Sequence, residues 1–396
     1  MIARLALPVI IVLLLDALFF DRTSWRHQQS WRRLLCWLLP IGAIVVTVIM
    51  ANTPYYFPDQ MYKLELYLAM LVFLVLPMTL VPLCSLLGRW AGRPLTGRLT
   101  GWLLSLAGAA SWVYGCTVGF SRFEVVQVQF SSPDLPDAFD GYRIVQFSDA
   151  HVGTYSGFRH HLLQRAVDSI NAQHADMVVF TGDLQNKQPS EVEEHQALLS
   201  TIKAPDGVIS VMGNHDYAHY LGTVDPYVMS SNMEQLIRLQ QHMGWTPLLN
   251  DHVEVWRDSS RIIIAGMEND GEGRFPQRGD VTRTLSGLST HEFVVMLEHD
   301  PTSWRRKILP QCHAQLTLSG HTHGGQLALL GWSPASFAYR EYCGMYRSGP
   351  RTLYVSKGLG AAIPFRLGAT GEIVVITLHK NDYSPQLSGR DTSRPY

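Results

Sequence analysis

Seven side chains of the metal-ligating kind fall in five short clusters, each ending an apolar run: Asp149-Ala150-His151, Gly182-Asp183, Gly213-Asn214-His215-Asp216, Glu298-His299-Asp300-Pro301 and Gly320-His321-Thr322-His323. Carboxylate and amide oxygens are hard donors and imidazole nitrogens borderline ones. Such a set suits two divalent cations better than a thiolate site would. A cation pair a few ångströms apart needs one shared anionic ligand and separate donors on each side. It can then generate hydroxide near neutral pH, hold both phosphate oxygens and neutralise charge during an in-line displacement.

The elements that must position these clusters begin at Arg143, where short apolar runs alternate with amphipathic stretches. Strands are expected at 144–147, 177–180, 208–212, 293–297, 314–318, 353–355 and 373–378. Helices are expected at 158–172, 191–202 and 231–243, and a hairpin over 253–256 and 262–265 turns at Asp258-Ser259-Ser260. Alternation of this kind implies a layered α/β domain whose ligands gather beyond the carboxyl ends of strands, where every cluster sits.

The first third of the chain is a different object. Up to residue 123 it carries ten Lys and Arg against four acids, which leaves 22 basic against 29 acidic residues behind it. The acidic remainder is a poor surface for nucleic acid, whose binding needs Lys and Arg to neutralise phosphates. Four apolar runs, 5–20, 34–51, 64–87 and 99–120, approach the ~20 residues needed to cross a bilayer. Arg22, Arg26, Arg32 and Arg33 follow the first run and Arg89, Arg93 and Arg98 the third, whereas the second loop offers Lys63 and the aromatics Tyr55, Tyr56, Phe57 and Tyr62. The positive-inside rule then makes the first and third loops cytoplasmic and everything after residue 120 extracytoplasmic. Asp16 falls near the cytoplasmic end of its span, and the small residues Ala107, Ser111, Gly115 and Gly119 form a stripe that lets helices approach closely.

Of the five cysteines, Cys36, Cys84 and Cys116 lie in apolar runs. Cys312 and Cys343 are free to pair in an oxidising compartment, and the sequence leaves that open. The absence of a CxxC pair argues against a zinc ribbon or a thioredoxin-like site.

Over residues 141–380 the clusters resemble the calcineurin-like metallophosphoesterase superfamily, with none of its motifs missing. The resemblance implies an αββα four-layer sandwich and two divalent metal ions (Mn, Fe, Zn or Mg). Asp149, His151 and His323 would hold the first ion, Asn214, His299 and His321 the second, and Asp183 would bridge them. A metal-bridging hydroxide would be the nucleophile, so no Ser or Cys nucleophile is required. His215 is implied as general acid or electrostatic helper at the leaving oxygen, with Asp216 orienting its ring. Finer likeness in Gly320-His321-Thr322-His323-Gly324-Gly325-Gln326, in Gly358-Leu359-Gly360 and in Pro364-Phe365-Arg366 is similar to a bacterial membrane-linked branch grouped with phosphodiesterases. Arg366 is either a substrate-phosphate ligand or a surface arginine.

The expected chain therefore has four N-terminal transmembrane α-helices (1–122), an α/β metallophosphoesterase domain (123–380) and a flexible tail (381–396). It would sit in a bacterial inner membrane with the catalytic domain outside the cytoplasm, hydrolysing an envelope or lipid-linked phosphoester. Cleavage of UDP-2,3-diacylglucosamine, known among relatives in lipid A synthesis, ranks lower because that substrate is cytoplasmic. A noncatalytic metal-binding scaffold is the alternative from another class, and the retention of every ligand speaks against it. Neither the oligomeric state nor the physiological substrate is legible in the sequence.

Overall fold

The computed structural model describes residues 2–23, 29–52, 61–221 and 225–381, in two compact units, Met1–Gly115 and Cys116–Tyr396. The tail expected over 381–396 lies outside the described residues except for Asn381, as do the loop aromatics Tyr55, Tyr56 and Phe57.

The first unit is helical: Ile2–Thr23, Ser30–Asn52, Met61–Met70 continuing through a π-helical turn into Leu76–Trp90, and Pro94–Tyr114. Among the described residues only two stretches, Ser30–Asn52 and Tyr62–Trp90, are long and apolar enough to cross a membrane, which corrects the expectation of four spans. The reason is composition. Ile2–Thr23 contains Pro8, Asp16, Asp21 and Arg22, and Pro94–Tyr114 is diluted by Gly97, Gly101, Gly108, Ser105 and Ser111. The two qualifying stretches are only 22% and 11% buried, unlike the core helices of a soluble protein. Asp16 accepts a 2.7 Å hydrogen bond from Thr79 Oγ1, so a side chain of the neighbouring helix partners it.

Small residues do bring two helices together, but about two to three turns before the stripe expected at 107–119. A Cβ on Gly101 would lie 2.6 Å from Cα of Val81, and one on Gly97 would lie 2.2 Å from the Cys84 carbonyl. The helices thus meet backbone to backbone at positions 97 and 101.

The second unit is a four-layer sandwich, with strands numbered in chain order. One sheet runs β1 (Phe123–Ser132), β12 (Gly371–Lys380), β2 (Arg143–Phe147), β3 (Met177–Phe180), β4 (Val208–Ser210), β5 (Trp245–Pro247). The other runs β10 (Gly344–Ser348), β11 (Arg351–Val355), β9 (Leu316–Ser319), β8 (Val294–Leu297), β7 (Ser260–Gly266), β6 (Asp251–Arg257). Both sheets are mixed; β2, β3, β4 and β5 run parallel in the first, and β7, β8, β9 and β11 in the second.

Strand alternation assigns the layers. Ile144, Val179 and Ile209 point between the sheets to meet Ile264, Val295 and Leu318. Val145, Phe147, Val178 and Phe180 point the other way, onto the helices His160–Asn171 and Pro226–His242. On the outer face of the second sheet, Ile263, Val294 and Met296 pack on Trp304 and Ile308. Each apolar strand therefore has both faces buried, as parallel strands between layers require.

Three strands, β1, β5 and β10, were not expected. β5 has three residues, too few for a period to register, and β1 pairs in parallel with β12 from the far end of the chain. The single helix expected over 191–202 is two short turns, Ser190–Glu193 and Gln196–Leu199, because His195 leaves helical geometry between them. All five cysteines are free, so Cys312 and Cys343 do not pair.

Candidate metal centre

Every ligand cluster follows a parallel strand at its carboxyl end: Asp149 and His151 after β2, Asp183 after β3, Asn214 after β4, His299 after β8, and His321 and His323 after β9. Three loops of one sheet thus face two of the other across the sandwich end, the usual ligand position for open α/β sheets. Five of these seven residues, Asp149, His151, Asp183, His321 and His323, have left-handed backbone with φ between 46° and 74°. That conformation is costly for side-chain-bearing residues and persists where the surroundings over-determine it, as at functional sites. It turns each side chain inward immediately after its strand. Gly320 supplies the clearance, since a Cβ there would lie 2.0 Å from Ser148 Oγ and 2.3 Å from Asp149 Oδ2.

The donors converge on two points joined by one carboxylate. Asp183 Oδ2 lies 3.3 Å from His299 Nε2 and 3.6 Å from His151 Nε2. On the His151 side, His323 Nε2 is 3.2 Å from His151 Nε2 and 3.4 Å from Asp149 Oδ1. On the other side, Asn214 Oδ1 is 2.7 Å from His321 Nδ1 and 3.2 Å from His299 Nε2. Donor separations near 3.3 Å are those of neighbouring ligands around an ion bound at about 2.0–2.2 Å. Asp149, His151 and His323 form one ligand-spaced group and Asp183, His299 and His321 another.

Protonation suits this role. Burial, and then the charge of His215, takes His151 down to about 3, and burial with His151 nearby holds His323 well below the ordinary histidine range. Their rings are therefore neutral and keep a lone pair for a cation. Burial works against a charge on Asp183, but His299 and then His215 outweigh it and hold this carboxyl well below the usual range. Burial pushes Asp149 up to about 6, with His299 opposing and Asp183 adding to the rise.

Groups behind the donors fix their orientation. The Thr181 carbonyl accepts from His299 Nδ1 at 2.7 Å, which turns Nε2 towards Asp183; burial opposes a charge on this ring, but the Asp183 carboxylate raises it well above the ordinary histidine range, and a cation would take the place of the Nε2 proton. Asn214 Nδ2 donates to Tyr220 OH at 2.8 Å, so its Oδ1 faces the centre. His321 Nε2 lies 3.0 Å from Tyr339 OH and 3.4 Å from Asp300 Oδ2. Such outer partners hold ligand rings in position. Tyr339 carries no sequence signal, whereas Asp300 belongs to the cluster around His299.

His215 is half-buried at the edge of the cage, one of its ring nitrogens spaced like a ligand with His151 and Asp183. Its ring stacks on Tyr220 with centroids 4.1 Å apart. Two expectations are corrected here. Asp216 does not touch that ring: its carboxylate accepts from the amides of Asp183 (2.8 Å), Leu184 (3.0 Å), Gln185 (3.3 Å) and Gly213 (2.9 Å), knitting together the two loops that carry Asp183 and Asn214. The His215 ring is oriented instead by the Asn186 carbonyl. Arg366 is neither at the surface nor open to substrate; it is 1% exposed and donates to the carbonyls of Ala369, Lys357, Gly358 and Gly360 at 2.5–3.0 Å. It braces the loop whose Gly358 lies against Asp149, where a Cβ would stand 2.7 Å from the Asp149 Cβ.

Residues 142–325 match the family model described as calcineurin-like phosphoesterase. The chain is 33% identical over 286 residues to an uncharacterized metallophosphoesterase of Bacillus subtilis, covering 68% of this chain and 92% of that protein. It is 33% identical over 276 residues to a zebrafish (Danio rerio) transmembrane protein with metallophosphoesterase domain, covering 67% of this chain and 60% of the relative. The bovine (Bos taurus) protein of the same description is 26% identical over 409 residues, which is 95% of this chain and 89% of the relative.

Proposed function

Since the chain belongs to the calcineurin-like phosphoesterase family, we propose that this metal-dependent phosphoesterase is anchored in a membrane and cleaves phosphoric esters presented there. The observation that carries the chemistry is Asp183 Oδ2, one carboxylate oxygen facing His151 on one side and His299 on the other. In this reading Asp149, His151 and His323 would hold one divalent ion, Asn214, His299 and His321 would hold the second, and Asp183 would serve both. Such a pair, when bound, supplies activated water and positive charge for the phosphate. The chain's own contribution to proton transfer is His215. With Nδ1 engaged by the Asn186 carbonyl, its Nε2 gives a proton to the leaving oxygen.

Anchoring is supported by the two apolar helices and by relatives described as transmembrane proteins. The side of the bilayer follows from the parity of the crossings. With Ser30–Asn52 and Tyr62–Trp90 alone, the arginine-bearing flanks on both sides are cytoplasmic and so is the catalytic unit. A crossing by Pro94–Tyr114 as well would return the unit to the outside. A reporter fused after Asn381 that is active on only one side decides between them. The pyrophosphatase reading on UDP-2,3-diacylglucosamine requires the cytoplasmic outcome.

The hydrolase reading is tested with the purified full chain and an aryl phosphodiester. Turnover should depend on added Mn, vanish on chelation and fall at least a hundredfold in Asp183→Ala. Activity surviving both treatments would sink it.

A further inference from the structure

Between the two ends of the metal centre runs a loop with an unusual surface. It leaves the cage four residues after His323 and returns at Tyr339, whose hydroxyl lies against His321 Nε2. Residues 327–339 contain no charged side chain. Ser333 ties the loop base to the ligand loop by donating from Oγ to the Gly324 carbonyl at 2.8 Å. Above this base the side chains point into solvent: Leu329 is 68% exposed, Leu330 100% and Phe337 83%, with Trp332 half exposed and in edge contact with Phe337 at 5.4 Å.

The tip is a two-residue hairpin. Leu329 and Trp332 exchange both backbone hydrogen bonds, at 2.8 and 3.0 Å, around Leu330 and Gly331, whose φ values are 51° and 80°. A turn with two positive φ angles favours Asn-Gly or Asp-Gly. Leucine there is unfavourable for the backbone, and its apolar side chain is fully in water. Neither the turn geometry nor the core explains Leu330, so its use lies in an apolar partner outside the unit. An uncharged tip of leucines bordered by tryptophan and phenylalanine, with the exposed Arg340 at its foot, has the composition of a segment that enters a membrane interface. The same chain carries two helices long and apolar enough to cross a bilayer.

We infer that loop 327–339 docks on the lipid bilayer, Leu330 entering the interface so that the metal centre, held at both ends of the loop, meets phosphoesters in the membrane plane. This rests on the hydrolase reading only for its kinetic consequence. The physical test uses the full chain in nanodiscs of phosphatidylethanolamine and phosphatidylglycerol, carrying Leu330→Cys labelled with the environment-sensitive fluorophore NBD, its five native cysteines replaced by serine. A blue-shifted emission quenched by nitroxide-bearing lipids is expected. Emission typical of water, or a shift that lipid nitroxides do not quench and that grows with protein concentration, overturns the inference, the latter by assigning the loop to a second copy.

The kinetic arm compares one aryl phosphodiester in solution with an acylated version embedded in the same bilayer. Leu330→Asn together with Leu329→Ser should raise the apparent KM for the embedded ester at least tenfold and leave the soluble ester within twofold. Equal behaviour towards both esters also overturns it. A chain that hydrolyses neither ester refutes the hydrolase reading, while the quenching result still decides the docking.

Discussion

His215 Nδ1 lies 2.6 Å from the main-chain carbonyl of Asn186. A carbonyl only accepts, so that nitrogen keeps its hydrogen in both protonation states of the ring, and only Nε2 gains or loses a proton. Asn186 is itself held: its amide donates to Glu191 Oε2 at 2.6 Å and its side chain to Thr154 Oγ1 at 3.1 Å. The orientation of the proposed proton donor therefore comes from a loop braced by a buried carboxylate, not from the adjacent aspartate.

His215→Asn is expected to lower kcat by about 10²–10⁴, the range for loss of a general acid. Metal content, measured by elemental analysis, should stay at the wild-type level. A variant that loses metal instead would make His215 a ligand.

Asp216→Asn places an amide NH2 among four backbone donors and leaves at least one of them unpaired, at a cost of about 1–3 kcal/mol. The loops of Asp183 and Asn214 loosen together, so lowered metal retention and a lower melting temperature should accompany the loss of activity. If Asp216 oriented the His215 ring, the pH profile would move while metal retention stayed unchanged.

Arg366→Met takes the guanidinium away from four carbonyls, of which that of Gly358 keeps the Glu372 amide at 3.0 Å. Buried acceptors without partners cost about 1–3 kcal/mol each, so a drop in thermal stability is expected, with KM for a soluble ester unchanged in the folded fraction. A variant of normal stability with a raised KM would restore the arginine to the substrate.

Glu191 reports on pH. Burial pushes its carboxyl up to about 7 from an ordinary value of 4.5, against the pull of the amides of Asn186, Gln188 and Lys187. A group whose folded value is raised binds more protons in the folded state, so its burial costs nothing below pH 4.5. The cost grows as pH rises to about 7, reaching roughly 3 kcal/mol. Melting temperatures measured across that window should fall with pH in the wild type and fall less in Glu191→Gln. Parallel curves for the two proteins would show that Glu191 does not titrate there.

The sequence by itself determined the inventory of candidate ligands and the strands that carry them. Asp149, His151, Asp183, Asn214, His299, His321 and His323 each follow an apolar run, because a buried parallel strand must be apolar on both faces and its ligand must come where the run stops. The hairpin about Asp258 and the strand Met177–Phe180 were legible for the same local reason. Partners without a local pattern were decided only by the tertiary structure. β1 pairs with β12 across nearly the whole domain, Tyr339 reaches His321 by way of a loop, and Asn186 meets His215 through the fold of an intervening loop. Arg366 and Asp216 show the limit most directly. A charged side chain beside a motif looks the same in sequence whether it faces a substrate or a ring of backbone carbonyls or amides. Which it faces depends on where the chain must satisfy its buried polar groups, and that is settled when the layers pack.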